Sequence, residues 1–275
     1  MIIDTHAHIY TSDSDRYPII DKPYAPPAGS GSPEGLIAEM DAAGVDKVMM
    51  VQTTTYYGWD NSYMRDTVPQ YSDRARGVFT LDPEHPHSAD LIYSLVDRAG
   101  MTALRTYPVR QGDYDHPGNR ALWAACRETG TTINALIGEA RYAAELAAIM
   151  TDYPEVPVTL DHAIHLDIAA PEYNDKLSAT LGLADCPNMN AKLSFLATGS
   201  AEEYPFTDMH PATRQIIDAY GPERCVWGSD YPLDLWAPKT TYSGYLQLFQ
   251  NDLGLSEGEK DAILGGSADR LYFSR

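Results

Sequence analysis

Cysteine is scarce: only Cys126, Cys186 and Cys225 occur in 275 residues, and no two stand in a Cys-x-x-Cys spacing. An odd, scattered set supports neither a disulfide framework nor a thiolate zinc knuckle, and it fits a reducing compartment. Basic residues are also few. Twenty Lys and Arg face 39 Asp and Glu, for a formal charge of -19, and the cations are spread singly rather than gathered into a stripe. A polyanion such as nucleic acid has nothing to hold on such a surface. Long apolar runs are missing as well. The longest, such as Val48 to Val51, fall far short of the roughly 20 residues that cross a bilayer, so no membrane association is expected. The opening residues, Met1-Ile2-Ile3-Asp4-Thr5-His6, show no basic leader and no small-residue cleavage site, and the expected location is cytoplasmic. What remains, at 44% hydrophobic and 21% charged, is the composition of a globular chain with a sizeable core.

Short β-branched or apolar runs alternate with longer amphipathic stretches from one end to the other. Strands are expected at Ile2 to Ile9, Val45 to Thr53, Ala75 to Leu81, Thr102 to Tyr107, Thr132 to Ile137, Val156 to His162, Met189 to Phe195 and Cys225 to Asp230. Between them, Pro33 to Ala43, Asp90 to Ala99 and Asn119 to Thr129 read as helices, each followed by a glycine suited to a left-handed cap. Such alternation over a length near the ~250 residues typical of the fold predicts an α/β chain folded as one distorted (β/α)8 TIM barrel over residues 1–275. A doubly wound sheet would place a glycine-rich phosphate turn after its first strand, and His6-Ala7-His8-Ile9-Tyr10 stands there instead. The Pro-, Gly- and Ser-rich stretch Tyr10 to Ser32 reads as a long loop over the barrel mouth.

His6 and His8, two apart on a strand, point the same way. Such a pair suits a divalent metal, or a site that orients and polarises a carbonyl, or two core histidines satisfied by polar neighbours. His162 closes the sixth strand and Asp230 the eighth, so three imidazoles and one carboxylate are expected at one mouth. Arg105, Arg110 and Arg141 fall at or after the ends of strands four and five, with Lys192 on strand seven. In so acidic a chain, cations aimed at one mouth are the groups able to hold a substrate carboxylate. His165 offers a second acid, base or carboxylate contact. Tyr10, Tyr56, Tyr57, Trp59, Tyr107 and Tyr231 lie near strand ends where they can wall a pocket.

Four segments together resemble the amidohydrolase superfamily, specifically the branch containing 2-pyrone-4,6-dicarboxylate and sugar-acid lactonases. They are Asp4-Thr5-His6-Ala7-His8, Asp161-His162, Val226-Trp227-Gly228-Ser229-Asp230-Tyr231-Pro232, and Gly266 to Phe273 in a C-terminal helix. Val51-Gln52 and Leu104-Arg105 are similar to the second and fourth strand ends of that branch. The resemblance implies a hydrolase for a small carboxylate-bearing lactone, with Gln52, Arg105, Tyr107, Arg110, His165 and Tyr231 around the substrate. Superfamily members with two metals carry Lys or Glu after strand four and histidines after strands five and six. Here Arg105 and Asn134-Ala135-Leu136-Ile137 stand in the first two places. One divalent ion, zinc, on His6, His8, His162 and Asp230 is therefore the expectation, with a metal-free site as the alternative.

Asp230 is expected to take a proton from water and return it to the leaving oxygen, with His162 and the other imidazoles or their ion polarising the carbonyl. A metal-dependent decarboxylase of an unsaturated or aromatic acid is the second reading, and a non-catalytic barrel binding a small acid is the third. No heptad or exposed apolar stripe singles out an interface, so a homo-oligomer stays open.

Overall fold

The computed structural model describes residues 1–109 and 112–274. Its strands are β1 (Ile3–His8), β2 (Lys47–Val51), β3 (Ala75–Thr80), β4 (Met101–Thr106), β5 (Thr132–Ala135), β6 (Val158–Leu160), β7 (Met189–Lys192) and β8 (Cys225–Val226). Each runs parallel to the next in chain order. The ring closes where Thr5 N–H donates to the Trp227 carbonyl at 3.1 Å and His8 N–H to the Tyr231 carbonyl at 2.7 Å. This is the expected (β/α)8 barrel.

Helices cover the outside. In α1 (Pro33–Ala43), Ser32 Oγ accepts the Gly35 N–H, Pro33 takes the first turn, and Gly44 ends the helix at φ 74°. Its Leu36 and Met40 are buried against the strands. α2 (Ser88–Ala99) and α3 (Pro117–Thr129) each begin two residues before Asp90 and Asn119, the expected starts. Beyond them lie α4 (Ala143–Asp152), α5 (Tyr173–Gly182) and α6 (His210–Tyr220). Among the described residues no helix is long and apolar enough to cross a membrane. The loop after β1 is tied down by aromatics: Tyr10 and Tyr56 rings lie edge to face at 5.0 Å, and Tyr56 OH donates to the Thr11 carbonyl.

The C-terminal segment 257–273 is helical with wide turns and closes the barrel floor. Leu271 and Tyr272 pack there against Ile3, Met49, Val78, Ala103 and Val226. Tyr272 OH adds polar ties to Asn134 Oδ1 at 3.0 Å and Thr159 Oγ1 at 2.8 Å.

All eight strands end one to four residues before the expected runs do, and in β6 and β8 the early end shapes the mouth. β6 stops at Leu160 rather than His162, because His162, Ala163, Ile164 and His165 all take left-handed φ between 45° and 62°. A continued strand would send Asp161 and His162 to opposite faces; the turn brings both into the lumen. β8 stops at Val226 rather than Asp230. The chain there presses on β1 so closely that a Cβ on Gly228 would stand 2.7 Å from His6 Cβ, and only glycine fits.

Candidate active site

Strict alternation along β1 from the inward-facing Ile3 would aim Thr5 and Ala7 at the lumen. The pairing with β2 shifts between Asp4 and Ala7, a bulge that turns His6 and His8 inward instead. Asp4 holds that bulge: it accepts from His6 N–H at 2.9 Å, Ser229 N–H at 2.9 Å, Ser229 Oγ at 2.6 Å and Tyr242 OH at 3.0 Å. His8 Nδ1 lies 2.8 Å from the Val51 carbonyl, which can only accept. Nδ1 therefore carries the hydrogen and Nε2 presents its lone pair to the lumen. That Nε2 is 3.2 Å from His6 Nε2.

Beneath these rings Asp161, fully buried, is flanked by two cations. Lys192 Nζ stands 2.7 Å from Oδ1, and Arg105 Nε 2.9 Å from Oδ2. Burial works to raise the Asp161 pKa, but the charges of Lys192 and Arg105 prevail and hold the carboxyl below its ordinary value. His6 lies between the same cations, with Lys192 Nζ 3.2 Å from Nδ1 and Arg105 Nη2 2.7 Å from Nε2. Burial, then the Lys192 and Arg105 charges, push His6 well below the usual histidine range. A ring facing donors on both nitrogens stays neutral.

Asp230 enters from the β8 side at φ 63°, its N–H bonded to the His6 carbonyl at 2.8 Å. Its Oδ1 is 3.6 Å from His6 Nε2 and 3.8 Å from His8 Nε2, and Oδ2 is 4.0 Å from His162 Nδ1. His162 Nδ1 also bonds Ser194 Oγ at 2.8 Å. Burial pushes the Asp230 carboxyl up to about 7, with Arg105 pulling the other way. Burial lowers His8 to about 3. Above them opens a cavity of about 290 Å³, lined by Thr53, Thr54, Tyr107, His162, Thr198 and Trp236 among others.

Of the residues singled out from sequence, His8, Arg105, Tyr107, His162, His165 and Asp230 line this cavity, and His6 lies buried at its floor against them. His165 reaches it by stacking on His162, ring centroids 4.7 Å apart. Others do not come to the cavity. Gln52 is buried and spends both amide hydrogens on the Gly58 and Asp60 carbonyls, at 2.9 Å each, so it braces a loop rather than a substrate. Tyr231 follows the inward Asp230 but lies off the cavity, where it meets Tyr242 and the Ser32 carbonyl. Arg141 is exposed and paired with Glu139. Arg110 lies outside the described residues. Tyr10, Tyr56 and Tyr57 pack the β1 loop. Lys192 proves more central than its place on strand seven suggested; a lysine in an otherwise buried four-residue strand was the available signal.

His6, His162 and Asp230 each offer a donor atom, all within 4.8 Å of one another. Tetrahedral ligands ~2.1 Å from a zinc ion stand roughly 3.4 Å apart, close to the His6, His8 and Asp230 separations above. With His8 already oriented by Val51, this donor set fits one divalent ion. An ion on His6 Nε2 would take the lone pair that Arg105 Nη2 meets at 2.7 Å.

A family model described as amidohydrolase matches residues 3–273. Among curated proteins, the chain is 25% identical to L-fucono-1,5-lactonase of Burkholderia ambifaria over 87% of this chain and 84% of that protein. It is 26% identical to 4-sulfomuconolactone hydrolase of Rhizobium radiobacter over 83% and 75%. A probable 2-pyrone-4,6-dicarboxylic acid hydrolase from Acinetobacter baumannii, solved with citric acid, superposes with a TM-score of 0.82 at 19% identity, covering 98% of each chain. A zinc-bound amidohydrolase from Burkholderia multivorans gives 0.78 at 21%, covering 99% of each. The 5-carboxyvanillate decarboxylase of Sphingomonas paucimobilis gives 0.68 at 19%, covering 98% of each. These structures share the fold.

Proposed function

Because the chain belongs to the amidohydrolase family and is an enzyme of it, we propose that it hydrolyses a small hydroxylated lactone, with Asp230 as the general base. One observation carries this reading: a buried carboxylate raised to about 7 stands among three imidazoles at the floor of an open cavity. The lactone-hydrolase names of the two curated relatives support it.

Asp230 takes a proton from a water molecule as the oxygen attacks the lactone carbonyl, the ring C–O bond breaks, and the same proton passes to the departing oxygen. His162 and His6, both neutral, orient the water and the carbonyl. His6, His8, His162 and Asp230 hold one divalent ion in this proposal, zinc by analogy with the Burkholderia multivorans neighbour. When bound, the ion supplies Lewis acidity and water activation. Arg105 and Lys192, filling the lumen beside His6, leave no room for a second. The entire chain, 1–275, acts as one barrel unit, on a small molecule.

The described cavity wall offers one cation to a substrate carboxylate. Among the described residues on the cavity wall Arg105 is the one Arg or Lys, and its guanidinium already meets Asp161, His6 and Tyr107. Threonines and Tyr107 supply the remaining polar groups, which suit hydroxyls.

The test is a rate measurement over 1,4- and 1,5-lactones with a pH indicator, with elemental analysis and chelation of the same preparation. Turnover above the buffer rate supports the reading. No turnover of any lactone, with CO2 released from unsaturated or aromatic acids, replaces it with decarboxylation.

A further inference from the structure

Next to the catalytic cavity lies a second, of about 430 Å³, lined by Thr54, Trp59, Asp82, Glu84, Tyr107 and Pro108 among others. Thr54 and Tyr107 line both cavities, so the two form one trough pinched where Thr54 Oγ1 and Tyr107 OH stand 3.4 Å apart. Trp59 is 42% exposed and meets Tyr107 edge to face, centroids 5.9 Å apart. Its exposure is not that of a loose loop. Side-chain amides hold all three carbonyls around it: buried Gln52 donates through Nε2 to Gly58 and Asp60, and half-buried Asn61 donates through Nδ2 to Trp59 at 3.0 Å and to Thr80 at 2.8 Å. Gly58, at φ 58°, makes the turn. A site that commits two amide side chains to presenting one indole to solvent is built to receive something flat.

We propose that this trough is a second substrate subsite, in which an uncharged hydroxylated ring lies on Trp59 while the lactone occupies the catalytic cavity. The enzyme then acts on lactones that carry a glycosyl group. The inference rests on the lactonase reading for the first cavity. Asp82 and Glu84 carboxylates accept hydroxyl hydrogens and repel a second anion. The volume, about 430 Å³, has room for a six-membered ring with its hydroxyls.

Isothermal titration of gluconate and its 4-O-glucosyl derivative, in wild type, Trp59→Ala and Trp59→Phe, tests the subsite without requiring turnover. The glucosyl derivative should bind about tenfold more tightly to wild type, the scale of one aromatic contact. Trp59→Ala should erase that preference and Trp59→Phe keep part of it. Equal affinities, binding of neither compound, a preference intact in Trp59→Ala, or displacement by tetramethylammonium overturns the proposal. The corresponding lactones separate the two claims. A glucosyl preference in binding with neither lactone hydrolysed removes the lactonase reading and leaves the subsite. Turnover of the simple lactone with no glucosyl gain in affinity or kcat/KM removes the subsite alone.

Discussion

The two halves of the barrel lumen solve opposite problems. In the lower half Ile3, Met49, Val78, Ala103 and Val226 meet Leu271 and Tyr272 in an apolar cluster. In the upper half, Arg105, Asp161, Lys192 and Asp230 are packed with His6, His8 and His162, all buried. Burying apolar area stabilises the fold at roughly 25 cal/mol per Å². Burying ions costs several kcal/mol each unless they are paired. The lower half therefore holds the barrel shut, and the upper half is tolerated because Asp161 neutralises one of its two cations. Burial raises the proton affinity of Asp230, which among the described residues has no Lys or Arg in an ion pair with it, and this leaves it the group available for chemistry.

The widest gap between the halves should appear on replacing Asp230. Asp230→Asn is expected to lower kcat/KM on a lactone substrate by about 10² to 10⁴ while the thermal midpoint stays close to wild type; a collapse in stability with little kinetic change would invert the comparison. Lys192→Met strips Asp161 of one buried partner, and a loss of about 3 kcal/mol in denaturant unfolding is expected. An unchanged or increased stability would mean the cation pair is not what makes the upper half bearable. Leu271→Ala should cost about 2 to 3 kcal/mol by opening a cavity at the floor, with KM unaltered. Should it slow turnover as Asp230→Asn does, the halves are not independent. Tyr272→Phe, losing its bonds to Asn134 and Thr159, sets the fine scale at about 1 to 2 kcal/mol of stability and no kinetic effect.

Much of the architecture was readable because it depends on local rules. Pro33 and Gly44 mark the ends of α1 for reasons of backbone geometry alone, and the eight apolar runs all became strands. The site was legible where strand parity survives and obscure where it breaks. His6 and His8 do face inward, but only because of a bulge fixed by Asp4, a residue whose distant partners are Ser229, just past β8, and Tyr242. The left-handed run His162 to His165 has no glycine to announce it. Tyr231 looks like a pocket residue from its position beside Asp230, yet its side chain meets Tyr242 and the Ser32 carbonyl away from the cavity. Gln52 looks like a ligand for substrate, and its partners six and eight residues along the chain show a brace for Trp59. The bulge and the place of Tyr231 depend on contacts between distant segments, and none of the four is encoded in periodicity.

The account turns on attack of water at a lactone carbonyl in the upper lumen. The most direct measurement is mass analysis of the product formed by the wild-type protein from a lactone in ¹⁸O-labelled water, above the rate in buffer. One water gained, with its oxygen in the new carboxylate and none in the freed hydroxyl, is the predicted result. Label in the hydroxyl, or loss of CO2 without gain of water, would contradict it.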